Sequence, residues 1–356
     1  GRRDFSEIIR AYCRMQNLDW TAAWLHCHSF LQEALRTRFI STQPILRAPY
    51  PGRSEVLRLD HLTDLWLHVT NACNLACEHC LVNSSPTGEP GGDTAFWFRM
   101  IDQGLALGVH RFFITGGEPF LRDDLFDLID RILSPLHEKK TELVILTNAM
   151  LFRGNHLKRL ATYAPNAFQL QISLDGPTAE VNNPIRGKGS FDATVRGIKE
   201  VINLGFSPTL TTVVNQANAA YLPEMVKLGS SLGIKNIHLL LSHHRGRAIG
   251  NAGLESPSIP ELLHIFKETL RLTNQAGMRF DNFDALLGKL MGPAGVKVDL
   301  SNAAYESLCI YADAQVYPSA ALAGIPDLQM GNADVEPLSA IWRNAVVANE
   351  IRQATV

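Results

Sequence analysis

The sequence predicts an α/β fold whose parallel sheet, with helices outside, curls toward a full or partial barrel. Two observations carry this. From residue 65 onward, short apolar strand-like runs alternate with helical stretches. That succession builds parallel sheets, and right-handed crossovers curl them. In addition, polar clusters end each of the first four runs. The C-terminal edge of the strands is where α/β barrels gather their active sites.

Residues 1–47 read as helical. Ile8, Ile9, Tyr12 and Cys13 share one face, and Trp20, Ala23, Trp24, Cys27 and Leu31 share another. His26, Cys27 and His28 are adjacent, so on a helix they diverge and cannot all face one ion. Pro49, Pro51 and Gly52 interrupt the pattern and predict a linker over 47–53. Strands are expected at 65–70, 111–115, 142–147, 168–174, 209–214 and 236–241. Helices are expected at 96–107, 124–133, 191–204, 222–232 and 258–276, with Phe96, Trp97 and Phe98 read as helix packing. Residues 307–319 read as a hairpin turning at Asp313 and Ala314. The expected domains are a helical extension and linker (1–53), the barrel (54–257), a helical connector (258–300) and a tail (301–356).

Of 356 residues, 46% are hydrophobic and 19% charged, which suits a globular chain with a sizeable core. With 33 basic and 35 acidic side chains the net charge is −2, against a protein built to coat nucleic acid. No run of 18 apolar residues predicts a membrane span, and the N-terminus lacks the apolar core of a signal peptide. Cys73, Cys77 and Cys80 cluster, while Cys13, Cys27 and Cys309 lie apart. Such clustering points to a metal site rather than disulfides, and to a reducing, cytoplasmic setting.

Cys73-Asn-Leu-Ala-Cys77-Glu-His-Cys80 is a C-x3-C-x2-C run directly after the first strand. Thiolates suit zinc or iron–sulfur. A closed zinc site needs a fourth ligand, for which His79 and His68 are the candidates. Three thiolates on a cubane would instead leave one iron open to a small molecule. Thr115-Gly116-Gly117-Glu118-Pro119 ends the second strand. Its glycines allow close backbone approach, and Glu118 offers a carboxylate suited to an ammonium group. Read alone, it is equally a turn. Thr147-Asn148 ends the third strand and Ser173-Leu-Asp175-Gly176 the fourth. Asp175 is read as either a ribose ligand or a turn cap. His243-His244-Arg245-Gly-Arg247 follows the sixth strand at the same edge, as a substrate-binding or solvated loop.

The cysteine run after strand one and the Gly-Gly-Glu after strand two resemble the radical S-adenosylmethionine (radical SAM) superfamily over residues 62–245. The Ser173-Leu-Asp-Gly-Pro177 stretch, Arg186-Gly-Lys-Gly-Ser-Phe191 and Val213-Val214-Asn215 resemble its branch with SPASM or twitch extensions. The resemblance implies a partial (β/α)6 TIM-like barrel with an N-terminal helical extension and a short C-terminal hairpin and helix extension. It implies that Cys73, Cys77 and Cys80 hold one 4Fe–4S cluster, whose open iron chelates the methionine part of SAM. Gly116, Gly117 and Glu118 would bind its amine, Ser173 its ribose or carboxylate, and Arg186 its carboxylate. Backbone near His79, Val213 and Val214 would flank adenine, and Asn148 and Asp175 are further cofactor-binding candidates. His244 and Arg245 are the candidate catalytic residues.

The implied chemistry is reductive cleavage of SAM to a 5′-deoxyadenosyl radical that abstracts a substrate hydrogen. A flavodoxin or ferredoxin reductant follows, and a ribosomal peptide is the first substrate expectation. Cofactor or small-molecule biosynthesis and sulfatase maturation are alternatives within the superfamily. A non-catalytic binding protein stabilised by zinc or a cluster is the alternative outside it. The tail carries Tyr317-Pro318-Ser319 where relatives often have Tyr-Pro-Cys, and Cys309 is its one cysteine. The expectation is therefore a degenerate or truncated extension with no auxiliary cluster in this chain.

Overall fold

The computed structural model describes residues 4–37, 40–42, 59–137, 140–290 and 302–353, without the side chains of 286–290. The chain divides into two compact units, Gly1–Pro51 and Gly52–Val356. The expected linker at 47–53 and the end of the expected connector (291–300) lie outside the described residues.

The first unit contains α1 (Phe5–Gln16) and α2 (Trp20–Arg36). Asn17 ends α1 at φ 51°, and the Asp19 carboxylate caps α2 by accepting from the Ala22 amide. Ile9, Ala23 and Ala34 are buried. His28 stacks on Trp24 and His26 lies edge-on to Tyr12, so the two histidines do diverge around α2.

In the second unit the alternation reads β1 (Asp64–His68), α3 (Thr94–Ala106), β2 (Arg111–Thr115), α4 (Leu125–Ile132), β3 (Glu142–Thr147), α5 (Asn155–Leu160) and β4 (Gln169–Ser173). It continues through α6 (Ala179–Arg186), α7 (Ser190–Asn203), β5 (Thr209–Val214), α8 (Leu222–Leu232) and β6 (Asn236–Leu241). Next come α9 (Ile259–Gln275), β7 (Arg279–Phe280) and α10 (Asp281–Leu290). The tail adds β8 (Ser307–Ile310), β9 (Gln315–Tyr317), β10 (Gly331–Asn332), α11 (Leu338–Asn344) and α12 (Val346–Gln353).

Strands β1 to β6 pair in parallel and in sequence order. Alternate strand residues such as Leu65, Leu67, Phe112, Ile114, Leu210 and Ile237 are buried in the main core. Helices bury matching stripes, for example Phe96, Trp97, Met100, Ile101 and Gly104 of α3. Each large apolar side chain so buried contributes roughly 1.5–3 kcal/mol.

Two features depart from the expectation. The stretch expected as a helical connector also carries β7, which adds in parallel to β6. The tail hairpin (β8 antiparallel to β9) is not a separate module, because β8 pairs in parallel with β1 and extends the main sheet. Among the described residues the sheet order is β10-β9-β8-β1-β2-β3-β4-β5-β6-β7. The sheet is open, yet Arg247, just past β6, hydrogen-bonds the loop just past β1. Only a strongly curled sheet brings those strand ends together, and that curl is the partial barrel.

Candidate functional site

All three thiols sit in the loop after β1. The loop is fastened at several points. The Cys73 amide donates to Ser85 O (2.9 Å), the Glu78 amide to Ile185 O (2.9 Å) and the Cys80 amide to Cys77 O (3.1 Å). The amide of Leu75 points at Cys73 Sγ (3.4 Å) and that of Ser84 at Cys80 Sγ (3.3 Å). Backbone N–H groups aimed at sulfur suit a thiolate or a cluster-bound thiolate, whose charge they spread. Burial pushes the Cys73 thiol up to about 12 and raises Cys77, although Arg186 opposes the rise at Cys77. Metal binding here must therefore expel protons.

Among the described residues no three His, Cys, Asp or Glu side chains are gathered for a single metal ion. Among the described residues neither candidate fourth zinc ligand is gathered with the thiols, although His68 Nε2 is buried without a hydrogen-bond partner. His79 Nε2 is 2.6 Å from Asp175 Oδ2, and His68 is buried in a stack with Tyr311, ring centroids 4.2 Å apart. The soft donor set with directed amides fits a cluster better than a closed Cys3His zinc site.

Gly116 and Gly117 bring the end of β2 against the cysteine loop. A Cβ on Gly116 would stand 2.4 Å from Thr70 O, and one on Gly117 2.2 Å from Ala72 O. The glycines thus serve the close approach of two backbones, sealed by Gly117 N–H to Thr70 O (2.7 Å) and Glu118 N–H to Ala72 O (2.9 Å). Glu118 is fully buried. Its carboxylate accepts from the Thr147 hydroxyl (2.7 Å) and from the amides of Asn148 (2.8 Å) and Phe120 (3.2 Å). Burial outweighs these donors and pushes it up to about 7. A cation placed beside it would return it to the charged state. Asn148 also reaches the cysteine loop, donating to Asn74 Oδ1 at 2.8 Å.

Asp175 ties the other candidates together. Oδ2 pairs with His79 and with Arg186 Nε, each at 2.6 Å, and Oδ1 accepts from the Val213 amide at 2.8 Å. The Arg186 contact is an ion pair off the hydrogen-bonding line. Burial pushes the Asp175 carboxyl up, but the charges of Arg186 and His79 overcome it and hold it down at about 2. The earlier choice between ribose ligand and turn cap therefore misses its main contacts, which are a buried ionic clasp. Arg186 is itself buried, with the thiols of Cys77 and Cys73 in its field.

Ser173 ends β4 with its side chain partly exposed. Val213 is half-buried and gives its amide to Asp175, whereas the Val214 side chain is buried in the main core. Past β6, His244 is exposed. The Arg245 guanidinium donates to the carbonyls of Ala321 and Ala323 and so holds the tail rather than the open mouth.

Several members of the site were not anticipated. Asn182 and Asn218 bond the Asp175 amide and carbonyl, and Asn74 meets Asn148, while Arg247, part of the motif read after the sixth strand, grips the cysteine loop rather than substrate or solvent. The asparagine-rich runs Asn182-Asn183 and Asn215-Gln-Ala-Asn218 were the available signal.

Residues 67–229 match the family model of the radical SAM superfamily. Over 177 residues the chain is 38% identical to mycofactocin maturase MftC of Mycobacterium tuberculosis, covering 49% of this chain and 44% of that protein. The chain thus spans less than half the length of this curated relative. It is 24% identical over 302 residues to the AdoMet-dependent heme synthase of Methanosarcina barkeri, covering 80% and 83%. Streptococcus suis SuiB, solved with its precursor peptide SuiA, superposes with a TM-score of 0.67 at 18% identity, covering 99% of this chain and 84% of that one. That likeness is one of fold, the partial barrel.

Proposed function

We propose that this chain is a radical SAM oxidoreductase of the maturase type, with a ribosomal peptide as substrate and a degenerate SPASM or twitch tail. The observation that carries this reading is the convergence at one strand edge of three thiols, Glu118 and the His79–Asp175–Arg186 clasp. Cys73, Cys77 and Cys80 would hold one 4Fe–4S cluster. When bound, that cluster supplies the electron that splits SAM into methionine and a 5′-deoxyadenosyl radical, which takes a hydrogen from the substrate.

The chain's own residues orient and shield. Glu118 would meet the methionine amine, charged by the very cation it binds. Gly116 and Gly117 press its strand against the ligand loop. Ser173 would contact ribose or carboxylate, and Arg186 the carboxylate, while backbone at His79, Val213 and Val214 would border adenine. Arg186 also offsets thiolate charge. A peptide substrate is supported by the likeness to mycofactocin maturase, and a flavodoxin or ferredoxin reductant in the cytoplasm fits the low potential such a cluster needs. The longer match to a heme synthase favours a small-molecule substrate as the second reading. Among the described residues no helix is long and apolar enough to cross a membrane.

Anaerobic reconstitution, dithionite reduction and chromatography for 5′-deoxyadenosine test the proposal. Release of 5′-deoxyadenosine is the expected result. A brown, reducible protein that leaves SAM intact would reduce the cluster to a structural role.

A further inference from the structure

We propose that Arg247 is a positioning residue for the cluster-ligand loop, fixing the backbone at Cys77 and setting the charge beside it. This rests on reading residues 73–80 as cluster ligands. Arg247 lies past β6, far along the chain from the loop past β1, yet it binds that loop three times. Its Nε donates to Cys77 O (2.8 Å), its Nη2 to Ser84 O (2.8 Å), and its backbone amide to Cys80 O (3.2 Å). The planar guanidinium spans two carbonyls at once, which a lysine ammonium cannot do with the same fixed geometry. Gly246 makes the fit possible. At φ 58°, its backbone runs so close that a Cβ would stand 2.1 Å from Cys80 O.

A strap built only for fold stability would serve equally well on any part of the loop. This one grips the carbonyls of Cys77 and Cys80, and that of Ser84, whose amide points at Cys80 Sγ. It also sets a permanent cation against the Cys77 carbonyl that it holds. The neighbouring Arg245 holds the tail carbonyls of Ala321 and Ala323. Residues 245–247 thus fasten the ligand loop on one side and the tail on the other. Removing the Arg247 cation should loosen the cluster and, by withdrawing positive charge, make it harder to reduce.

The test compares anaerobically reconstituted wild type with Arg247→Gln and Arg247→Lys. Iron loss to a chelator, the reduction midpoint by electron paramagnetic resonance, and melting of the metal-free protein are read for each. The Gln variant should fold, lose iron about tenfold faster and show a more negative midpoint. The Lys variant should keep a midpoint near wild type while losing iron at an intermediate rate. A Gln variant with wild-type iron loss and midpoint overturns the proposal. If the Gln variant does not fold, the Lys variant decides, and wild-type iron retention in it overturns the proposal. A wild type that takes up no 4Fe–4S cluster sinks the underlying reading, and this proposal with it, before any substitution is made.

Discussion

Cys73 and Cys309 look alike by burial. Both are buried, and burial pushes both thiols up to about 12. Their surroundings differ completely. Cys73 has an amide aimed at its sulfur and two further cysteines in its loop, with Arg186 and Glu118 nearby. Cys309 lies in β8, packed with Tyr317 and Ala323 and flanked by Trp66 and Tyr311. A thiol becomes a ligand through its neighbours. Burial alone makes a small hydrophobe.

The largest expected effect follows directly. Replacing Cys73, Cys77 and Cys80 together by Ala should remove the cluster, and iron analysis should fall from about four per chain to background. Cys309→Ala should leave the iron content unchanged. Equal losses in both would erase the distinction.

The same contrast between burial and partners separates two His–Asp pairs. His79–Asp175 and His238–Asp281 are each 2.6 Å apart, but the Asp175 side chain is fully buried while that of Asp281 is 25% exposed. Asp175→Asn strands Arg186 as an uncompensated buried charge and should cost about 3–5 kcal/mol in denaturant titration of the metal-free protein. Asp281→Asn should cost about 1 kcal/mol or less. Similar costs would show that solvent reaches Asp175.

Glu118 gives the pH test. Its folded value, about 7, lies above the ordinary carboxylate range. The stability it contributes is therefore fully present below about pH 4 and is lost as pH rises through about 7, by roughly 3 kcal/mol. Urea midpoints of the metal-free protein should show that fall, and Glu118→Gln should flatten it. An unchanged slope in the variant would place the titration elsewhere.

A smaller effect than the loss of Asp175 belongs to Cys309. Cys309→Ala leaves a small cavity against Tyr317 and should cost about 1–2 kcal/mol in melting experiments. A gain in stability would mean the site relaxes around the smaller side chain.

Local chemistry was legible in the sequence. The strand ends, the C-x3-C-x2-C run and the Gly-Gly-Glu turn all rest on neighbours in the chain. What was not legible depends on distant ones. Helix α6 was hidden because Ala179–Arg186 contains Asn182, Asn183 and Pro184, which weaken any helical signal. The pairing of β8 with β1 joins segments that only the fold brings together. Asp175 was ambiguous because its partners, His79 and Val213, lie far off on either side. Arg245 and Arg247 fell in a recognised motif, but a sequence does not show that guanidiniums will spend their hydrogen bonds on backbone carbonyls.

The central claim is that one cysteine loop holds one cluster while the tail cysteine holds none. Iron and sulfide content of the anaerobically reconstituted wild-type protein tests it most directly. The account predicts about four irons per chain, the content of a single 4Fe–4S cluster. A value near eight would show a second cluster and contradict it, as would tightly bound zinc in place of iron.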